Sequence, residues 1–180
     1  MIILTANIVI EMATKNDGII FGGWLRDIFS GVKTSKDIDV FFPTKEKALN
    51  FILELTSLCK INVDTSPFTY GSCNTYNYIH YERLILTPES CAFDIDLIIP
   101  RLCNFTITPE TLNFGKNDVD VNMLVYSRYG LNARDGNNLF SILENCSKKQ
   151  FVRLSNCTQI RCNKLLMAGW KRKGEKNVHP

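Results

Sequence analysis

Two periods of hydrophobic spacing divide this chain. Residues 5–15, TANIVIEMATK, place Ile8, Met12 and Ala13 at helical spacing, although the β-branched residues keep a strand open. Asn16-Asp17-Gly18 signals a turn, and the short apolar run Gly18-Ile19-Ile20-Phe21 suits a buried strand. After Gly22-Gly23 the spacing of Trp24, Leu25, Ile28 and Phe29 is helical again, and Gly31 marks a stop. Residues 37–42, DIDVFF, read as a strand. Pro43-Thr44 then introduces a helix over 45–59, with Thr44 as its cap and Ala48, Phe51, Ile52, Leu55 and Leu58 on one face. Strands are expected over 60–63, 78–86 and 92–99, separated by a turn-rich stretch over 64–77 with one weak strand and followed by a loop over 100–115. Residues 157–173 read as a closing helix, with Ile160, Leu165, Leu166, Met167 and Trp170 as its apolar positions. Helices and strands alternating in this way predict a domain of the α/β (α+β) class, plus a short C-terminal helix.

Composition narrows this picture a little. A length of 180 residues suits one compact domain with a short appendage. The division expected is 1–155 for the domain and 156–180 for a C-terminal helix and basic tail. No apolar run is long enough for a membrane span. The apolar start at Met1 lacks a basic region and a small-residue cleavage site, so no signal peptide is expected. The cysteine count is odd, at seven, with no CxxC, and only two histidines are present, which disfavours zinc and fits reduced thiols in a cytoplasmic setting. A net charge of +3 permits nucleic-acid binding without arguing for it. The Lys171-Arg172-Lys173 cluster reads by default as a solvated tail; the alternative is a footing for RNA or DNA phosphates.

The candidate chemistry lies in residues 22–42. Gly22 and Gly23 let backbone N–H groups approach a ligand unobstructed, and a helix N-terminus there suits phosphate. Asp37 and Asp39 flank Ile38 in a strand, so both carboxylates share one face. Two carboxylates that close repel unless a cation joins them, and Mg²⁺ is the usual occupant of an oxygen site that also holds substrate phosphates. Residues 92–99, AFDIDLII, nearly repeat the pattern with Asp94 and Asp96, one of which has Arg83 or Arg101 as a candidate ion-pair partner. Lys33 and Lys36 lie in the loop before Asp37 and read either as solvated loop lysines or as a screen for phosphate charge. The tyrosines at 70, 76, 78 and 81 suit either base stacking or packing at a sheet edge.

GGWLRD, then a glycine, then DIDV resembles the head-domain signature of the DNA polymerase β-like nucleotidyltransferases, in the subgroup of tRNA nucleotidyltransferases (CCA-adding enzymes) and bacterial poly(A) polymerases. KNDVDVNMLVY over 116–126 resembles the family's RRDFTINALAY motif, with Asp118, Asn122 and Tyr126 matching and with Lys116 and Asn117 in place of the two arginines. A lysine cannot reproduce the bidentate phosphate contact of an arginine. Residues 140–154 look like the stretch that closes the family's head domain. Arg161 and Lys164 match the basic positions of the motif EDxxRxxR, whose Glu-Asp is replaced by Cys157-Thr158, which puts base selection in doubt. The neck, body and tail that follow the head in full-length members are expected to be missing.

The resemblance implies a metal-dependent transfer of NMP from an NTP to an acceptor hydroxyl, most simply an RNA or tRNA-like 3′ end, with release of pyrophosphate. Asp37 and Asp39 would hold two Mg²⁺, with Asp94 or Asp96 as a third carboxylate and the other of the two left as a structural ion pair with Arg83 or Arg101; the implied head domain is a mixed sheet with helices packed on one face. Gly22, Gly23, Arg26, Asp27, Lys36, Lys116, Asp118, Asn122, Arg161 and Lys164 form the implied nucleotide-binding set. Arg26 reads either as a phosphate partner or as a brace for Asp27 or the acidic strand. A head without a body invites a homodimer to complete an RNA cleft. Two alternatives stay open: an enzyme that modifies a protein or small molecule, and an inactive nucleotide- or RNA-binding module.

Overall fold

The computed structural model describes residues 4–32, 37–71, 80–89, 91–100, 118–154 and 157–174, the side chains of 66–71, 80 and 81 excepted. The residues that the sequence analysis singled out at 33, 36, 76, 78, 101, 116 and 117, the side chains of Tyr70 and Tyr81, and the loop over 101–115 lie outside those descriptions.

The first segment is a helix, α1 (Ala6–Lys15), because Thr5 caps it: its side chain accepts a hydrogen bond from the Ile8 N–H, at 3.4 Å. Strand β1 (Ile19–Phe21) leads through Gly22 into α2 (Gly23–Phe29) and then β2 (Asp37–Phe41). Helix α3 (Lys45–Leu58) begins at the expected Thr44 cap, whose hydroxyl accepts from Lys47 N–H at 3.3 Å. Strands β3 (Ile61–Gly71), β4 (His80–Pro88) and β5 (Asp94–Pro100) follow. The remainder is a 3-10 turn (Asp120–Asn122), β6 (Leu124–Ser127), β7 (Gly130–Ala133), α4 (Leu139–Ser147), β8 (Gln150–Phe151), α5 (Gln159–Met167) and β9 (Lys171–Arg172).

Seven strands form one sheet in the order β3-β4-β5-β2-β1-β6-β7. Among the described residues only the β2–β5 pairing in it is parallel; the sheet is mixed. Strand alternation sorts its two faces. Ile20, Ile38, Val40, Ile95, Leu97, Ile99 and Leu124 face the helices and meet Val9 and Ala13 of α1, Leu25 of α2, Phe51 and Leu55 of α3, Ile142 of α4 and Leu165 of α5 in one buried core. The opposite face carries a smaller cluster of Ile19, Phe41, Ile98 and Val125, with Phe21 against it. No helix among the described residues is long and apolar enough to cross a membrane.

Two elements differ from the sequence expectation. β3 runs to Gly71 through Pro67, where a turn-rich stretch with a weak strand is expected; it lies at the sheet edge, and its pairing with β4 shifts register between Ser66 and Tyr70. An edge position with a bulge is where a strand tolerates proline. The expected helix over 157–173 is shorter. It ends at Met167, Gly169 turns the chain at φ +83°, and Lys171–Arg172 pair in parallel with Gln150–Phe151. Lys173 Nζ donates to Asn145 Oδ1 at 2.9 Å. Part of the basic cluster is therefore stitched to the domain by backbone pairing that composition cannot reveal.

Candidate active site

The two Asp-Ile-Asp strands are neighbours. β2 and β5 run parallel with Asp37 opposite Asp94 and Asp39 opposite Asp96. Because Ile38 and Ile95 point into the helix-covered core, all four carboxylates stand on the other face. Asp37 is exposed, Asp39 and Asp94 are partly buried, and Asp96 is buried.

This crowding sets the electrostatics. Burial, the Asp37 charge and the Asp96 charge together push the Asp39 carboxyl up to about 7, and Arg83 and Arg161 offset this only in part. Burial also raises Asp96, against the pull of its ion pair with Arg83 on β4. Asp96 thus takes the ion pair that the sequence allowed to either acid of β5. Asp94 lines an open depression with Cys91, Ala92 and Phe93. Among the described residues no group of three or more carboxylate, thiol or imidazole side chains is placed to hold a metal ion. The donor chemistry by type nevertheless fits a hard divalent cation: oxygen ligands with excess negative charge, one of them raised to about 7 by burial first and by its neighbours' charge second.

The glycine turn abuts this cluster. Phe21 pairs with Asp39, so Gly22 follows at the edge of the carboxylates. Gly22 has φ 80° and ψ −149°, a region essentially reserved for glycine. A Cβ there would stand 2.6 Å from Asp39 Oδ2. Gly22→Ala is expected to destabilise the fold by about 1–3 kcal/mol and to lower any activity of the site by roughly 100-fold, since the Asp39 carboxylate must move. Chemical denaturation beside an activity assay checks this; equal losses in both would show that the turn acts on stability alone. α2 has only seven residues, so the backbone at Gly22 and Gly23 carries the anion argument more than a helix dipole does.

Five of the residues marked for the nucleotide form one hydrogen-bonded chain. Arg161 Nε lies 2.7 Å from Asp118 Oδ2. Asn122 Nδ2 donates to both Asp118 oxygens at 3.1 Å, and Asn122 Oδ1 accepts from Arg26 Nη1 at 2.9 Å. Arg26 Nε in turn donates to Asp27 Oδ1 at 2.7 Å. Arg26 thus braces Asp27 and Asn122 in this structure. Lys164 is exposed one turn beyond Arg161. Thr158 caps α5, accepting from Arg161 N–H at 3.3 Å.

Sequence reasoning missed two supports. Trp170 lies under the Arg26 guanidinium, 5.5 Å from ring centre to Cζ. Asp120 is buried between the two matched positions; its Oδ1 accepts from Val121 and Val152 N–H groups at 2.8 and 2.7 Å, and its Oδ2 from Asn145 Nδ2 at 2.6 Å. The alternation Asp118-Val119-Asp120-Val121-Asn122 was the available signal, with polar residues at every second place in an apolar stretch.

No protein-family model and no curated protein matches the sequence. Among solved structures 16 chains match. A CCA-adding enzyme in complex with CTP superposes at a TM-score of 0.53 and 15% identity, over 82% of this chain and 33% of that one. A tRNA-processing enzyme in an apo form gives 0.56 and 18%, over 96% and 45%. The Thermotoga maritima CCA-adding enzyme complexed with tRNA gives 0.58 and 13%, over 98% and 41%. The chain spans less than half the length of these structures. A likeness at such low identity speaks to architecture, and the protein has the nucleotidyltransferase head-domain fold seen in CCA-adding enzymes.

Proposed function

We propose that the protein is a metal-dependent nucleotidyltransferase that moves a nucleoside monophosphate from an NTP to an acceptor hydroxyl, with an RNA 3′ end as the acceptor. One observation carries the reading: two Asp-Ile-Asp strands lie in parallel register beside a glycine turn, so that Asp39 faces both Asp96 and Gly22. Asp37, Asp39 and Asp96 are the residues that would hold Mg²⁺, in the two-ion site that this fold suggests. Asp96 is preferred to Asp94 as the third ligand because its charge acts on Asp39, although Asp96 also holds the Arg83 ion pair that the sequence reading assigned to the acid outside the metal site. Bound Mg²⁺ supplies positive charge to the attacking and leaving oxygens.

The chain's own groups do the rest. The N–H groups around Gly22 and Gly23 are offered to the triphosphate. Arg161 and Lys164 flank it with positive charge, and Lys36 and Lys116 would add to that field. Asp118, Asn122, Arg26 and Asp27 hold Arg161 in place through their hydrogen-bonded chain. In the reaction the acceptor oxygen bonds to the α-phosphorus, the bond from that phosphorus to the β-phosphate bridge oxygen breaks, and the hydroxyl proton leaves to solvent.

The test is incubation with each labelled NTP, Mg²⁺ and a mixed RNA pool, beside the Asp37→Ala/Asp39→Ala variant. Label on RNA with the native chain and not with the variant is expected. Label on protein instead would redirect the reading to a protein-modifying enzyme. One observation favours a second reading, an inactive nucleotide- or RNA-binding module: Arg83 already partners Asp96 inside the fold. NTP or RNA binding without transfer under any condition would establish it.

A further inference from the structure

The start of α5 carries a feature that nucleotidyl transfer does not need. Thr158 is the cap of this helix, which makes Cys157 the residue before the cap and Cys162 the fourth residue of the helix. Side chains at those two places meet at many helix starts, because the cap geometry folds the incoming chain back over the first turn. Here both are cysteines. Their sulfurs lie 3.1 Å apart, both residues are buried, and both belong to the main core.

The entry of the chain is also fixed. Cys157 N–H donates to Leu154 O at 3.1 Å, and Arg153 Nη2 donates to Cys157 O at 2.8 Å. Closing the sulfurs to the roughly 2.05 Å of a disulfide therefore needs a shift of about 1 Å within one helical turn.

We propose that Cys157 and Cys162 form an oxidisable dithiol, which a low-molecular-weight disulfide converts into an intramolecular disulfide that staples the first turn of α5. The inference stands apart from the proposed enzyme activity. The exchange balances in two steps. A thiolate of the pair attacks one sulfur of the small disulfide, forming a mixed disulfide and releasing one small thiolate. The second protein thiolate then attacks the mixed disulfide at the protein sulfur, closes the Cys157–Cys162 bond and releases the other small thiolate. The two protein thiols lose their protons and two electrons; the small disulfide gains the electrons.

Access comes from α5 itself. Ile160 and Met167 are 82% and 90% exposed, so few apolar side chains hold the helix down and local opening is cheap. Burial and the neighbouring thiol push Cys157 up to about 11, so exchange is expected to speed up as pH rises. Arg161 lies between the two cysteines and reaches Asp118, so the staple acts on the segment that presents Arg161.

The experiment treats the folded full chain with glutathione disulfide at pH 8, alkylates the remaining thiols and digests with trypsin without reduction. Trypsin cuts after Arg153, Arg161 and Lys164, so the bond joins peptides 154–161 and 162–164 into one species. That species is expected, and dithiothreitol should abolish it. Amide exchange across Gln159–Met167 should slow by roughly tenfold in the oxidised form. Of Cys157→Ser and Cys162→Ser, at least one should instead retain a mixed disulfide with glutathione on the remaining thiol. Separate alkylated peptides 154–161 and 162–164, while other cysteines oxidise, would overturn the proposal. So would a linked pair with unchanged or faster exchange in α5, or the absence of a trapped adduct in both variants.

Discussion

Asp96→Asn is expected to lower nucleotidyl transfer by on the order of 10³-fold, whereas Asp94→Asn should stay within about tenfold of the native rate. Both acids lie on one strand and one face, opposite the two acids of β2. They differ in surroundings. Asp96 is buried, acts on Asp39 and is held by Arg83, while Asp94 borders an open depression. The substitution at 96 has two opposed effects on stability. It removes the Asp96 charge from its ion pair with the Arg83 guanidinium, 23% exposed as a side chain, and it relieves Asp39 of a like charge. A circular-dichroism melt beside the kinetics separates folding from chemistry. A larger loss at 94 than at 96 would move the third-ligand role to Asp94.

The second large effect concerns pH. Asp39 in the fold titrates at about 7, well above the ordinary carboxylate range. Between pH 4 and 7 the folded protein therefore holds a proton there that the unfolded chain has lost. Stability from this group falls as pH rises through that window and levels off above it, with a total cost of about 4 kcal/mol. Asp96 is raised too and adds to the fall in the same direction. Asp39→Asn should remove most of the dependence. The stability difference between variant and native protein, measured by denaturation without metal, is expected to grow from pH 4 to 7 in favour of the variant. A flat difference would show that Asp39 is not held protonated. Mg²⁺ at pH 8 should raise the melting temperature of the native chain and leave Asp39→Asn nearly unmoved. Titration with Mg²⁺ near pH 6.5 should release protons into buffer if the cation binds at these carboxylates.

Much of the fold was legible because local chemistry and burial agree. The caps at Thr44 and the start of β1 followed from the residues alone, since the cap side chain and the apolar run act within a few positions. The ambiguity at 5–15 was settled by Thr5, whose capping bond, together with burial of Val9 and Ala13, outweighed the β-branched residues. The extension of β3 through Pro67 was not legible, because it depends on which strand lies at the sheet edge. The early end of α5 was marked by Gly169, but the pairing of Lys171–Arg172 with Gln150–Phe151 joins segments some twenty residues apart and leaves no local trace.

The sequence by itself determined that Asp37 with Asp39, and Asp94 with Asp96, would share a face of a strand, because side chains alternate with period two. It also determined that a glycine turn would precede the first pair. Only the tertiary structure decided that the strands are parallel neighbours, that Gly22 touches Asp39, and that Arg83 chooses Asp96. It also decided that Arg26 is held by Asn122, 96 residues away, and by the face of Trp170. The physical reason is one of range. Periodicity, capping and turn chemistry act over a few residues, whereas register between distant strands and the field within a carboxylate cluster depend on how the buried faces pack together.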